Sequence, residues 1–122
     1  MADQPKALAG IVSLTIDGVT YLVAGDAKYQ VSSRKRETLI GQDRVHGYSE
    51  MPRAGVISMT LRDRGDLSVT AVAAITNSTI VLGLSNGKTI VGRGMWCVGD
   101  QLVDTKEGTL DAEFEGVSVV ED

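Results

Sequence analysis

The chain has 122 residues, the size of one compact domain, so a two-domain enzyme with a separate cofactor module does not fit in it. Lys and Arg number 12 against 16 Asp and Glu, a net charge of -4, which argues against a general nucleic-acid-binding domain. The lone cysteine, Cys97, excludes an internal disulfide, and no apolar run approaches the roughly 20 residues that span a bilayer. The opening Met-Ala-Asp-Gln-Pro-Lys lacks a charged-then-apolar export pattern, so Sec export is not expected.

Val, Ile and Thr together make up 32 of the 122 residues, and there are 14 Gly but only 2 Pro. Branched side chains suit a pleated surface, and glycines suit tight turns, so the chain reads as many short strands. Residues 10–16 place Val12, Leu14 and Ile16 on one face of a first strand. Asp17-Gly18 is a hairpin turn, because both residues tolerate positive φ. Val19, Tyr21 and Val23 alternate on the return strand. Gly25-Asp26 reads as a second turn, with a third strand over 28–33. Residues 41–55 hold Gly41, Gly47, Pro52 and Gly55 with little periodicity, and read as a long loop. From 56 to 62 alternation is clean, with Ile57, Met59 and Leu61 on one face.

Residues 66–76 fit a strand or a helix. The Ala-rich run and the N-cap candidates Asp66 and Ser68 favour a short helix, about 67–75, with Leu67, Ala71 and Ile75 on one face. Residues 79–84 and 88–98 form a hairpin around Ser85-Asn86-Gly87, the strongest turn signal in the chain. A strand over 109–115 follows the turn at Lys106-Glu107-Gly108, and 117–120 extends it after Gly116. No repeat or linker interrupts the sequence. The expectation is a mainly β domain over residues 1–122, a β-sandwich or small barrel with one flanking helix. Residues 1–8 are expected to be flexible.

Several chemical motifs fall short. Gly83 to Thr89 resembles a phosphate-binding loop, but three residues separate its glycines where four are needed, and no helix follows. Gly92-Arg93-Gly94 starts like a dinucleotide fingerprint, but Cys97 stands at the third glycine position, and the glycines suit close backbone approach or a bulge within a strand. His46, the only histidine, lies in a polar loop without a ligand partner at metal spacing. Cys97 follows Trp96 in an apolar strand and suits a small core residue, although a Cys97–His46 pair stays open at this level. No catalytic, cofactor-binding or metal-binding set is expected, and the chain is not read as an enzyme.

Charge is unevenly placed. Residues 1–64 carry 9 basic and 7 acidic residues, and residues 65–122 carry 3 basic and 9 acidic. The basic residues are densest at Arg34-Lys35-Arg36, either a solvated edge that blocks aggregation or a site that docks on the acidic half of another copy. In the strand 109–115, Asp111, Glu113 and Glu115 share one face, and Leu110, Ala112 and Phe114 share the other. The acidic face is either solvated or lines a passage or subunit contact.

The segment from 34 to 67 carries a more specific signal. It reads Arg36-Glu37-Thr38, Gly41-Gln42-Asp43, Val45-His46-Gly47-Tyr48-Ser49-Glu50-Met51-Pro52-Arg53, Gly55, Ile57 and Thr60-Leu61-Arg62-Asp63. With the helix near 67–75, the hairpin at Asn86-Gly87, Trp96 and the closing acidic strand, it resembles the tail tube proteins of contractile-tailed bacteriophages. The likeness runs over about residues 8–120, in order. It implies a structural virion protein, assembled in the host cytoplasm, whose hexameric rings stack into a hollow tube inside a contractile sheath. DNA would pass through without specific binding, and no membrane insertion is implied. The same architecture occurs in headless bacteriocins and type VI secretion tubes. Implied partners are further copies and the sheath, baseplate, tape-measure and tail terminator proteins.

On this resemblance Arg34, Lys35, Arg36, Glu37, Tyr48, Glu50, Pro52 and Arg53 are expected at subunit interfaces. Asp111, Glu113 and Glu115 are expected to face the lumen. Four strands from each of six copies give about 24 strands and a backbone diameter of roughly 50 Å. The rival reading is a monomeric small β-barrel, an adaptor or ligand-binding module of a larger complex.

Overall fold

Branched residues and glycine turns produce a nearly all-β chain in the computed structural model, which describes residues 10–122. The expected flexibility of residues 1–8 lies outside the described residues. The strands are β1 (Ile11–Ile16), β2 (Val19–Thr20), β3 (Val23–Gln30), β4 (Ser33–Ile40), β5 (Val45–Arg53) and β6 (Gly55–Arg62). After helix α1 (Val69–Ala73) come β7 (Ser78–Leu84), β8 (Thr89–Val98), β9 (Val103–Asp104), β10 (Thr109–Gly116) and β11 (Ser118–Glu121).

The main sheet runs β2-β1-β7-β8-β10-β6-β3, all antiparallel, with β11 added to β8 and β9 to β10. It curls into a half-barrel that buries one face against itself. Leu14, Ile16, Ile80, Leu82 and Ile90 from one flank meet Ile57, Met59, Leu61, Ala112 and Phe114 from the other. Strict alternation does this work: on β6 and β10 every second side chain turns into the core.

Strand β8 makes the corner. Its first half pairs with β7 and β11, and Trp96 to Val98 pair with β10. Between Ser78 and Ile80 the ladder gains an extra residue on β8, where Gly94 adopts φ +63°. Such a bulge bends the strand. Met95 fills the bend fully buried, against glycines on both sides: a Cβ at Gly92 would sit 2.6 Å from its sulfur, and one at Gly116 2.8 Å.

The turns at Asp17-Gly18 and Asn86-Gly87 are where their chemistry predicts. Asp17 and Gly18 take φ +52° and +84°, and the Asp17 carboxylate accepts from Ser78 Oγ (2.7 Å) and Thr79 N (2.9 Å). Other boundaries differ. Gly25-Asp26 is no turn: β3 runs through it with an irregular register between Val23 and Ala27, so the extra residues bulge instead of reversing the chain. The break falls at residues 31–32, which splits the expected strand 28–33. The return strand after Gly18 is only Val19–Thr20, and Val19 is exposed. The helix shrinks to five residues, capped by Ser68, whose Oγ accepts from Ala71 N (3.1 Å). It buries Val72, with Leu67 and Ile75 half-buried beside it, whereas Ala71 faces solvent. One and a half turns leave room for a single anchor. Residues 118–121 do not extend β10: β11 crosses to the other side of the corner and pairs with β8.

The expected long loop at 41–55 is largely strand. β5 pairs with β4 from Ser33↔Arg53 to Ile40↔Val45 as a separate two-stranded sheet. Every residue of both strands is exposed. A ribbon with no buried face needs no apolar–polar alternation, which is why the periodicity is silent. Gly47 (φ +141°) and a register shift near Leu39 absorb the irregularity, and Pro52 is tolerated in a ribbon that has open edges.

Candidate functional site: an exposed arm and an acidic sheet face

The β4–β5 ribbon is an arm inserted between β3 and β6. Gln30 and Val56 are already paired where it departs. Its root is stitched to the C-terminal strand: Ser32 N donates to Val119 O (2.9 Å), and Ser32 Oγ accepts from Val119 N (2.8 Å).

The eight expected interface residues all lie on this arm, but on two faces. Arg34 opposes Pro52, Arg36 opposes Glu50 and Thr38 opposes Tyr48 on one face. There Glu50 Oε2 lies 3.3 Å from Arg36 Nε and 3.7 Å from Arg34 Nε, and the Arg36 guanidinium stands 5.4 Å from the Tyr48 ring centroid. Exposed pairs of this kind add about 0.2–1 kcal/mol each, so they set register and orientation more than stability. The other face carries Lys35 opposite Met51, Arg53 opposite Ser33, and Glu37 opposite Ser49. Among the described residues neither Lys35 nor Arg53 has an ion-pair partner. At the tip, His46 Nε2 lies 3.5 Å from Asp43 Oδ1, and its ring packs over Gly41, where a Cβ would require the ring to move.

The residues missed in the sequence are the exposed apolar ones on this arm: Leu39, Ile40, Val45 and Met51. The signal for them was compositional. A segment with that many large apolar residues and no core-facing period is a surface awaiting a partner.

The second feature is the outer face of β3, β6 and β10. Asp111 and Glu113 are exposed and Glu115 is half-buried, all on the side of β10 opposite Leu110, Ala112 and Phe114. Asp26, Lys28, Ser58, Thr60 and Asp100 join Asp111 and Glu113 around a recess of about 370 Å³. Thr60 Oγ1 donates to Asp111 Oδ1 at 3.0 Å. Sequence reasoning missed Asp26 and Asp100, because only the fold brings an irregular stretch of β3 and the loop after β8 to the same recess. Among the described residues no group of His, Cys, Asp and Glu is arranged to hold a metal ion.

Cys97 and His46 are not brought together. Cys97 sits half-buried on β8 opposite Phe114, where its sulfur accepts from Gln101 Nε2 (3.2 Å) and burial pushes its thiol pKa up. A raised thiol pKa disfavours the nucleophilic thiolate.

The chain thus presents a bare arm and an acidic sheet face that carries a recess. The family model for phage tail tube proteins matches residues 6–121. The chain is also similar to the Mu-like prophage FluMu tail tube protein of Haemophilus influenzae, 26% identical over 104 residues, covering 85% of this chain and 81% of that protein. The chain belongs to the phage tail tube protein family, whose members are structural components of the phage tail.

Proposed function

We propose that six copies close into a ring and that rings stack into the inner tail tube, through which DNA leaves after the sheath contracts. The observation that carries this reading is the β4–β5 arm. An isolated two-stranded ribbon is marginal in water, and this one exposes large apolar residues along its length. A second copy is the partner that would cover it in every subunit of a polymer.

Further support comes from the sheet β8-β10-β6-β3. It offers four strands, with β3 as an edge whose outer backbone groups have no partner strand among the described residues. Joined edge to edge, six such sheets close a barrel of about 24 strands and remove their own edges. Asp111, Glu113 and Glu115 line the lumen, where negative charge repels phosphates and keeps the passage free of adhesion. Arg34, Lys35, Arg36, Glu37, Tyr48, Glu50, Pro52 and Arg53 lie in contacts between subunits. Sheath, baseplate, tape-measure and tail terminator proteins complete the assembly, which forms in the host cytoplasm.

Negative-stain electron microscopy of concentrated protein tests the reading. Rings or tubes with a central channel are expected. A chain that stays monomeric at every concentration counts against it and favours a monomeric adaptor.

A further inference from the structure

Exposed large apolar residues fall into three groups besides Val19: the arm, Trp96 with Val117 and Val120 near the arm root, and Leu22 with Leu102. The first and the last lie at opposite ends of β6: Gly55 stands at the arm root, and Arg62 at the far end donates its N–H to Leu22 O (2.9 Å). The 99–108 loop closes the same far end, where Asp63 N donates to Gly108 O (2.8 Å) and Arg62 Nη1 to Glu107 O (3.0 Å).

The ends also differ in charge. Residues 33–53 carry five basic residues (Arg34, Lys35, Arg36, Arg44, Arg53) against Glu37, Asp43 and Glu50. The far end carries Asp63, Asp66, Asp104 and Glu107 against Arg62, Arg64 and Lys106. Stable interfaces combine an apolar centre with a polar rim of complementary charge. The acidic recess beside β10 also opposes the arm in sign, but none of its lining residues is an exposed large apolar side chain that could cover those of the arm.

The two faces of the arm are not equivalent donors. Glu50 already lies against both Arg34 and Arg36, and Tyr48 stacks on Arg36. The opposite face offers Lys35 and Arg53 without such partners, beside Leu39 and Met51.

We propose that this second face seats on the far end of another copy of the chain, with Met51 and Leu39 against Leu102 and Leu22, and Lys35 and Arg53 facing Asp63 and Glu107. The contact is heterologous, so it propagates along an axis without closing. It rests on the stacked-tube reading and names the surface that receives the arm.

Two experiments test it. In a C97S background, chains carrying M51C and chains carrying L102C are mixed in equal amounts, concentrated and oxidised. Mixed disulfide dimers are expected to exceed both same-variant dimers. Separately, K35E/R53E and D63K/E107K are each expected to raise the concentration at which assembly sets in by at least about tenfold, because like charges then face each other. Combining all four changes in one chain restores assembly, since the reversed arm meets a reversed acceptor. Circular dichroism of each variant at low concentration checks that the fold is kept. Wild-type assemblies without the mixed disulfide, or a fourfold variant as impaired as its parents, overturn this inference and leave the tube reading standing. A wild-type chain that never assembles overturns both.

Discussion

Asp17 carries more than its place in a turn suggests. Its backbone occupies the left-handed region, and its carboxylate accepts from the Thr79 N–H and the Ser78 hydroxyl, tying the β1–β2 hairpin to the start of β7. The backbone bond from Thr79, then the Ser78 hydroxyl, hold its pKa below the ordinary carboxylate value. A carboxylate whose folded pKa is depressed adds stability that is complete above its unfolded value of about 3.9 and is lost as pH falls through the folded one. Asp17→Asn keeps the turn geometry, because Asn tolerates positive φ, but removes the charge. The melting temperature of the variant is expected to lie below that of the wild type at neutral pH, with the gap closing below about pH 4. A gap that does not change with pH, in paired melts across that range, removes the carboxylate from the account.

Elements were legible where local chemistry decides them. Asp17-Gly18 and Asn86-Gly87 announce their turns, and the alternation of Ile57, Met59 and Leu61 announces a half-buried strand. Of the two N-cap candidates, Asp66 and Ser68, the helix uses the second. The arm was not legible as strand, because periodicity records burial and the arm buries nothing. Gly25-Asp26 misled because a bulge uses the same residues as a turn. The corner of β8 was partly legible: Gly92-Arg93-Gly94 pointed to close backbone approach, but not to Met95 as what fills the space. That packing makes a prediction at this scale. Gly92→Ala puts a methyl against the Met95 sulfur and 3.2 Å from Ile57 Cδ1, which is expected to destabilise by about 1–3 kcal/mol. Met95→Ala opens a cavity and is expected to cost about 2–5 kcal/mol. Because the two share one space, the double variant should lose less than the sum, as measured by denaturant unfolding. Strict additivity would mean that Met95 is not what confines Gly92.

For the whole molecule the net charge is less informative than its placement. Basic residues concentrate on the arm, and acidic ones on the outer face of β10 and the end opposite the arm. If Asp111, Glu113 and Glu115 line the passage, replacing all three with Lys turns a repelling wall into an adhesive one. Tubes of this variant are expected to retain duplex DNA at low salt, protected from nuclease and released at high salt. Wild-type tubes should retain none. Bound DNA that stays fully open to nuclease would place this face on the outside.

The stitch between Ser32 and Val119 has a mechanical consequence. The arm leaves the body through residues 31–32 and returns through Ala54, and two hydrogen bonds at that narrow root fasten it to β11, almost the last segment of the chain. Strand β11 therefore braces the root of the arm, much as a short stay steadies a long boom. A tilt of a few degrees there is multiplied along the eight residues of β4 into a displacement of about 2 Å at the tip. Changes near Val119 reach the far end of the arm without touching it.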